Sequence, residues 1–147
     1  MTFTDAELEY LAGQRLGRLA TVAPDGTLQV SPVGFRHNTA TGTIDIGGYR
    51  MATSRKFRNV AANGRAAFVV DDIASLDPWR VRCLEIRGWA EAIEHPTDSP
   101  YDPATGTDGA IIRVHPRRII SFGIEGPDLP PHKLVPNNRD VPDPAGH

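Results

Sequence analysis

Three cations crowd the start of a short predicted helix, and this cluster has the clearest chemical meaning in the sequence. Residues 49–64 read YRMATSRKFRNVAANG, with a possible N-cap at Thr53 or Ser54 and a helix stop at Asn63-Gly64. The cations of the first turn are Arg55, Lys56 and Arg58. The helix dipole disfavours cations there by about 0.3–1 kcal/mol each, whereas free backbone N–H groups beside them bind anions. The segment therefore predicts a phosphate-binding site, and a merely solvated basic helix is the alternative.

The remainder of the chain narrows the class of ligand. Its 147 residues are typical of one domain, and the net charge of −2 argues against a nucleic-acid-binding protein. No acidic residue lies between positions 49 and 70, so the positive charge is local and suits a small anion. No membrane-length apolar segment or signal peptide is visible, so we expect no membrane contact and a cytoplasmic location. The single cysteine, Cys83, excludes an internal disulfide and is expected to be a buried thiol.

Side chains suited to acid–base or metal chemistry are scattered rather than clustered. The five histidines lie in turns or beside prolines, and no pair has metal-ligand spacing. The sequence also lacks a G-x-S-x-G nucleophile elbow. We therefore expect neither a metal site nor a single catalytic side chain. Two interpretations remain: a binding module, or a protein whose bound cofactor supplies the chemistry.

The elements that must position the basic helix are mainly strands. Thr4 and Glu7 form a capping box for a short N-terminal helix that ends at Gly13. Strands are predicted over residues 16–22, 27–35, 43–47, 66–70, 81–93, 110–114 and 118–124. Pro32 indicates an edge, a bulge or an interrupted ladder, and Gly88 indicates a bulge or tight packing. Six to seven strands with short links favour an antiparallel barrel with short helices.

Three segments are predicted to be irregular. Residues 73–80 form a loop that carries Trp79, and residues 95–109 form a long surface loop. The last stretch, 126–147, is rich in proline and is predicted to be a tail, either disordered or laid across a partner subunit. The expected organisation is a barrel domain over residues 1–125 followed by this tail.

The order of these features resembles the pyridoxamine 5′-phosphate oxidase-like family of split β-barrels, which bind flavins or deazaflavins. In RLGRLATVAPDGTLQVSPVGF, the pairs Ala20-Thr21, Asp25-Gly26 and Ser31-Pro32 match the opening hairpin of the family. SRKFRNVAANGRAAFVVDD resembles its basic helix and the strand that follows. RVHPRRIISFGIE is similar to the closing strands of actinobacterial members that use coenzyme F420, a deazaflavin. The resemblance covers residues 4–125.

The resemblance implies a homodimer of FMN-binding split-barrel type, with two cofactor sites at the dimer interface. Ser31, Pro32 and Val33 would line the cofactor ring, and Gly47 and Gly48 would lie beneath it or beside the ribityl chain. The phosphate would be held by Thr53, Ser54, Arg55 and Lys56. Trp79 and Arg82 would reach the site from the other subunit.

The implied activity is hydride transfer between coenzyme F420 and an unsaturated small molecule. An FMN-binding oxidoreductase of the same fold and a non-catalytic flavin or deazaflavin carrier are the alternatives. The tail lacks the arginine-rich motif of true pyridoxamine phosphate oxidases, so we do not expect oxidation of pyridoxamine phosphate.

Overall fold

The computed structural model describes residues 2–99, 101, 104, 106–126 and 128–143. Within them lie two α-helices, α1 (Asp5–Ala12) and α2 (Arg55–Asn63). The strands are β1 (Leu16–Val22), β2 (Leu28–Gly34), β3 (Arg36–Asn38), β4 (Thr43–Gly47), β5 (Arg65–Leu76), β6 (Trp79–Ile93), β7 (Ile111–Phe122) and β8 (Arg139–Asp140). Two single 3-10 turns lie at Met51–Thr53 and Pro131–Lys133.

The strands form one antiparallel sheet in the order β2-β1-β5-β6-β7-β4-β3, and β8 pairs with β7. β2 also contacts β4, so the sheet curls until its two ends meet. Fully buried aliphatic side chains fill the interior, among them Ile44, Ile46, Leu84, Ile86, Ile112 and Val114. The predicted mainly β, antiparallel architecture with short helices is confirmed. Pro32 lies on the edge strand β2, where a missing N–H group is tolerated.

Both helices begin and end where their capping residues predict. Thr4 and Glu7 form the expected capping box, and Gly13 ends α1. For α2, the N-cap is Ser54 rather than Thr53, which belongs to the preceding 3-10 turn. Gly64 ends α2 in the left-handed conformation, at φ 67°.

Two predicted breaks in the sheet are wrong. Residues 73–80 are not a loop, because β5 and β6 stay paired up to Leu76 and Trp79. Residues 111–122 form one continuous strand despite Pro116, which lies at a bulge opposite Gly88. A Cβ atom on Gly88 would lie 1.9 Å from the carbonyl oxygen of His115, so only glycine allows this approach. The bulge predicted at Gly88 is therefore confirmed, and it is what accommodates the proline. The short strand β3 was not expected.

Part of the tail packs against its own barrel, which neither alternative for this segment anticipated. β8 pairs with β7, and Arg139 donates to the fully buried carboxylate of Glu7, with Nη1 3.0 Å from Oε2. The same guanidinium donates to the carbonyl oxygen of Thr2 at 2.9 Å. This arginine thus ties the tail to the beginning of α1. The boundary between residues 125 and 126 stays a prediction.

Candidate functional site

The start of α2 presents unoccupied backbone donors. Ser54 Oγ accepts the Phe57 N–H at 3.2 Å and donates to the Met51 carbonyl oxygen at 2.7 Å, which fixes the first turn. The Arg58 N–H is bonded to the Ser54 carbonyl oxygen at 3.2 Å. The N–H groups of Arg55 and Lys56 belong to the first turn, where a helix offers no internal acceptor. Two backbone donors without an acceptor in the helix therefore lie beside two cations.

The cations at this helix start lie open to solvent. Arg55 and Arg58 are exposed and Lys56 is half-buried, and none of the three forms an ion pair within the described part of the chain. Backbone and hydroxyl donors of Thr27 hold the pKa of Asp25 below its usual value, and the charge of Arg55 lowers it further. The helix start thus lies near the β1–β2 turn. Asp25 is the carboxylate close enough to feel this charge, but in the described part of the chain no carboxylate lies within ion-pair distance of the three cations.

The predicted ring-lining residues of β2 divide between the two faces of the strand. Ser31 and Val33 face inward, whereas Pro32 faces outward and is exposed. The Ser31 Oγ atom is buried and has no hydrogen-bond partner among the described residues. Leaving a buried hydroxyl unsatisfied costs about 1–3 kcal/mol, so such a group usually has a ligand or water partner. Ser31 therefore fits a role in holding a polar edge of a cofactor.

Gly47 and Gly48 allow another group to approach the backbone closely, but one side of Gly47 is already covered by the Tyr101 ring. Three ring atoms of Tyr101 lie 3.1 Å from the position that a Cβ atom of Gly47 would occupy. The Tyr101 hydroxyl donates to the Asp45 carbonyl oxygen at 3.2 Å, and burial raises the pKa of this phenol. The Gly48 carbonyl oxygen accepts the Asp108 N–H at 3.1 Å. A ligand at Gly47 would therefore share the glycine surface with the Tyr101 ring.

Direct contacts join these segments at one end of the barrel. Asn59 of α2 donates to Thr21 Oγ1 at 3.1 Å and to Gln29 Oε1 at 3.4 Å, which holds the helix against β1 and β2. Gly48 packs against Met51, whose carbonyl oxygen accepts from Ser54. β2, which carries Ser31, also contacts β4, which ends at Gly47. The strand β2, the glycine pair and the helix start are therefore neighbours.

Trp79 and Arg82 lie apart from this group, on the β5–β6 hairpin. Trp79 is 57% exposed. Arg82 donates through Nε to Asp72 Oδ1 at 2.9 Å, and its guanidinium carbon lies 4.9 Å from the centre of the Tyr10 ring. The Arg82 side chain holds the pKa of Asp72 below its usual value. Arg82 is thus already engaged within its own chain, and a contribution of either residue to a second subunit's site stays a prediction.

Reasoning from the sequence missed the residues that brace the glycine pair. Asp45 is fully buried and receives both Nε and Nη2 of Arg113 at 3.0 Å, while Asp98 Oδ1 lies 2.9 Å from the same Nη2. Hydrogen bonding to Asp45 raises the pKa of Arg113. Asp108 accepts the Ala52 N–H at 2.9 Å. An acidic residue in the middle of the apolar strand TIDIG was the one available signal of a buried ion pair.

Other kinds of site receive no support from the geometry. Among the residues that the structure describes, no three histidine, cysteine or acidic side chains are grouped closely enough to hold a metal ion. In the same part of the chain, no helix has the length and apolar character needed to cross a membrane.

The fold is a split β-barrel, and the start of its helix α2 carries three cations beside backbone N–H groups that have no acceptor within the helix. Residues 3–121 match the pyridoxamine 5′-phosphate oxidase family, and the chain belongs to that family. It is 48% identical over 126 residues to the 5a,11a-dehydrotetracycline/5a,11a-dehydrooxytetracycline reductase of Streptomyces rimosus, covering 86% of this chain and 87% of the relative. From this similarity we conclude that the protein is an oxidoreductase.

Solved structures agree with this assignment. A protein described as an F420 reductase is 32% identical, with a TM-score of 0.51, over 69% of this chain and 86% of its own. A conserved hypothetical protein from Mycobacterium tuberculosis superposes with a TM-score of 0.66 at 22% identity, over 87% of this chain and 89% of its own, which shows the shared fold. The predicted family and split-barrel fold are confirmed.

Proposed function

We propose that the protein is a reductase that uses coenzyme F420 to reduce a carbon–carbon double bond in a conjugated, polyoxygenated small molecule. The observation that carries this proposal is the start of α2, where Arg55 and Lys56 lie beside free backbone donors and form no ion pair with any described carboxylate. The likeness to a dehydrotetracycline reductase and to an F420 reductase supports the cofactor and the substrate class. When bound, the reduced deazaflavin would supply a hydride to the electron-poor carbon, and solvent would supply the proton.

In this proposal the protein binds and orients rather than reacts. Arg55 and Lys56 hold the phosphate through side chains and N–H groups, with the exposed hydroxyl of Thr53 and the cap Ser54 beside them. Ser31 offers its unpaired hydroxyl to a polar edge of the ring. Fixing two reactants in a near-attack geometry accounts for a large part of the rate enhancement in such reactions.

The pocket for the cofactor ring would have two walls, one on each side of the phosphate anchor. Pro32 and Val33 would form one wall, and the backbone at Gly47 and Gly48 would form the other. Tyr101 already covers one side of Gly47, so the ring would abut its aromatic face.

We further propose that two copies pair through the outer face of the sheet. Leu28 and Val30 are 82% and 69% exposed and lie on the same side of the sheet as the half-buried Val22 and Ala20, their partners on β1. A cluster of exposed apolar side chains of this kind often marks an interface. In such a dimer, Trp79 and Arg82 of the partner subunit would approach the cofactor. The free thiol of Cys83 is compatible with a reducing cytoplasm.

A paired titration tests the cofactor. We expect the purified, cofactor-free protein to quench or shift the fluorescence of F420 at micromolar concentrations and to bind FMN more weakly. Reduced F420 should then be oxidised when 5a,11a-dehydrotetracycline is added. Tighter binding of FMN than of F420 would indicate an FMN-dependent enzyme instead. Binding of F420 without turnover of this substrate or of simpler quinones and enones would indicate a carrier.

A further inference from the structure

A polar cavity includes residues that adjoin both segments that we assign to the cofactor ring. It has a volume of about 520 Å³ and is lined by Ala12 at the end of α1, by Gln14 and Arg15 just after it, by Gly34, Phe35 and Arg36 at the junction of β2 and β3, and by Tyr101. Small-molecule sites typically occupy about 300–1,000 Å³. Gly34 directly follows the strand segment of Ser31, and Tyr101 lies against Gly47.

The charged side chains described in the lining of this cavity are all positive. Arg15 and Arg36 are both exposed, and neither forms an ion pair in the described part of the chain. Among the described residues, no acidic side chain lines the cavity. The Gln14 side-chain amide donates to Asp72 Oδ2 at 3.4 Å, and this carboxylate also accepts from Arg82. The described part of the lining therefore presents two cations without an ion-pair partner.

Its wall also contains a fixed aromatic surface. The Tyr101 ring is held by the hydroxyl bond to the Asp45 carbonyl oxygen and by its contact with Gly47. The Arg36 guanidinium carbon lies 6.0 Å from the centre of this ring. A planar conjugated molecule could pack against the tyrosine while its anionic oxygens met the arginines.

A hydride acceptor must contact the cofactor ring, and this requirement selects among the cavities. The cavity around Trp89 and His115 shares no residue with the ring-lining segments or with the residues that brace them. The cavity at Arg15, Arg36 and Tyr101 includes Gly34, which directly follows residues 31–33, and Tyr101, which contacts Gly47. We propose that it binds the substrate, a planar polycyclic molecule with ionised vinylogous-acid or enol oxygens, and that Arg15, Arg36 and Tyr101 determine this specificity. The inference rests on the proposed function, because it uses the assigned ring position.

Equilibrium binding of tetracycline, monitored by its fluorescence, tests the cavity without any cofactor. We expect Arg36→Ala and Arg15→Ala each to weaken binding about tenfold, the size of one partly exposed charged contact. Added salt should weaken binding to the wild type and have less effect on either variant. Tyr101→Phe should bind nearly as the wild type, whereas Tyr101→Leu should lose affinity. Lys133→Ala, which removes an exposed cation from the tail, is the matched control.

The Arg15→Ala and Arg36→Ala variants should retain the affinity of the wild type for F420, and with dehydrotetracycline they should raise KM more than they lower kcat. Unchanged tetracycline affinity and unchanged salt dependence in both arginine variants would overturn the inference. If the wild type failed to bind F420 yet bound tetracycline in an Arg36-dependent way, the proposed function would fail while the cavity assignment stood. Thermal unfolding of each variant identifies any loss that comes from misfolding.

Discussion

Replacing Arg55 and Lys56 together by alanine should change cofactor affinity and stability in opposite directions. A hydrogen bond to a charged partner contributes about 1.5–3 kcal/mol when it is shielded from solvent. Lys56 is half-buried and Arg55 is exposed. We therefore assign about 1.5 kcal/mol to the lysine and about 1 kcal/mol to the screened arginine. Their sum of about 2.5 kcal/mol corresponds to a loss of affinity of about 50- to 100-fold.

The ligand-free protein should respond in the other direction. Both cations oppose the dipole of α2 at its N-terminus, at a cost of about 0.3–1 kcal/mol each. Removing them should raise the free energy of unfolding by about 0.6–2 kcal/mol. A binding site whose cations destabilise the ligand-free protein should show both effects. If the helix were only a solvated basic surface, the double variant would bind the cofactor as tightly as the wild type.

Fluorescence titration with F420 and urea denaturation of the ligand-free protein measure the two quantities. Arg65→Ala with Lys133→Ala removes two exposed cations elsewhere and serves as the control. Unchanged F420 affinity in the Arg55→Ala, Lys56→Ala double variant would refute the phosphate anchor. A fall in stability equal to the loss of binding would show instead that the variant had damaged the fold.

Three further predictions concern the scaffold of the site. Ser54→Ala should lower the free energy of unfolding by about 1 kcal/mol through loss of the N-cap of α2, measurable by urea denaturation, whereas an unchanged midpoint would argue against this cap. Gly88→Ala should destabilise the protein by more than about 3 kcal/mol, because the new Cβ would meet the His115 carbonyl oxygen; a thermal midpoint near that of the wild type would contradict the bulge geometry. Burial alone would raise the pKa of Glu7, but Arg139 and the capping N–H group lower it below the ordinary 4.5, so stability present above pH 4.5 should decline as the pH falls through the folded-state pKa. Denaturation at a series of acidic pH values should show a shallower decline in Glu7→Gln, and an unaltered slope would refute the linkage.

The predictions that succeeded rest on signals that are local in the sequence. The start of α2 follows from a capping serine and its end from Gly64, and each feature lies within a few residues of the backbone it controls. The same local pattern is the basis for the phosphate anchor, which stays a prediction. β4 was likewise visible as a short strand ended by glycines.

The predictions that failed concern partners that are distant in the sequence. Pro116 looked like a break, and only its register opposite Gly88 shows why β7 continues. Tyr101 and Asp108 lie in a segment without periodicity, and their contacts with Gly47 and Gly48 arise from the tertiary fold. Arg139 and Glu7 are separated by almost the whole chain, so no local sequence pattern predicts their contact.

The central claim is that this split barrel binds a deazaflavin and uses it for reduction. It is tested most directly by following the absorbance of reduced F420 with the purified protein and 5a,11a-dehydrotetracycline, alongside an F420 binding titration. The account predicts micromolar F420 binding and substrate-dependent oxidation of the reduced cofactor, both weakened in the Arg55→Ala, Lys56→Ala double variant. No F420 binding by the wild type, or oxidation that the double variant leaves unchanged, would contradict it.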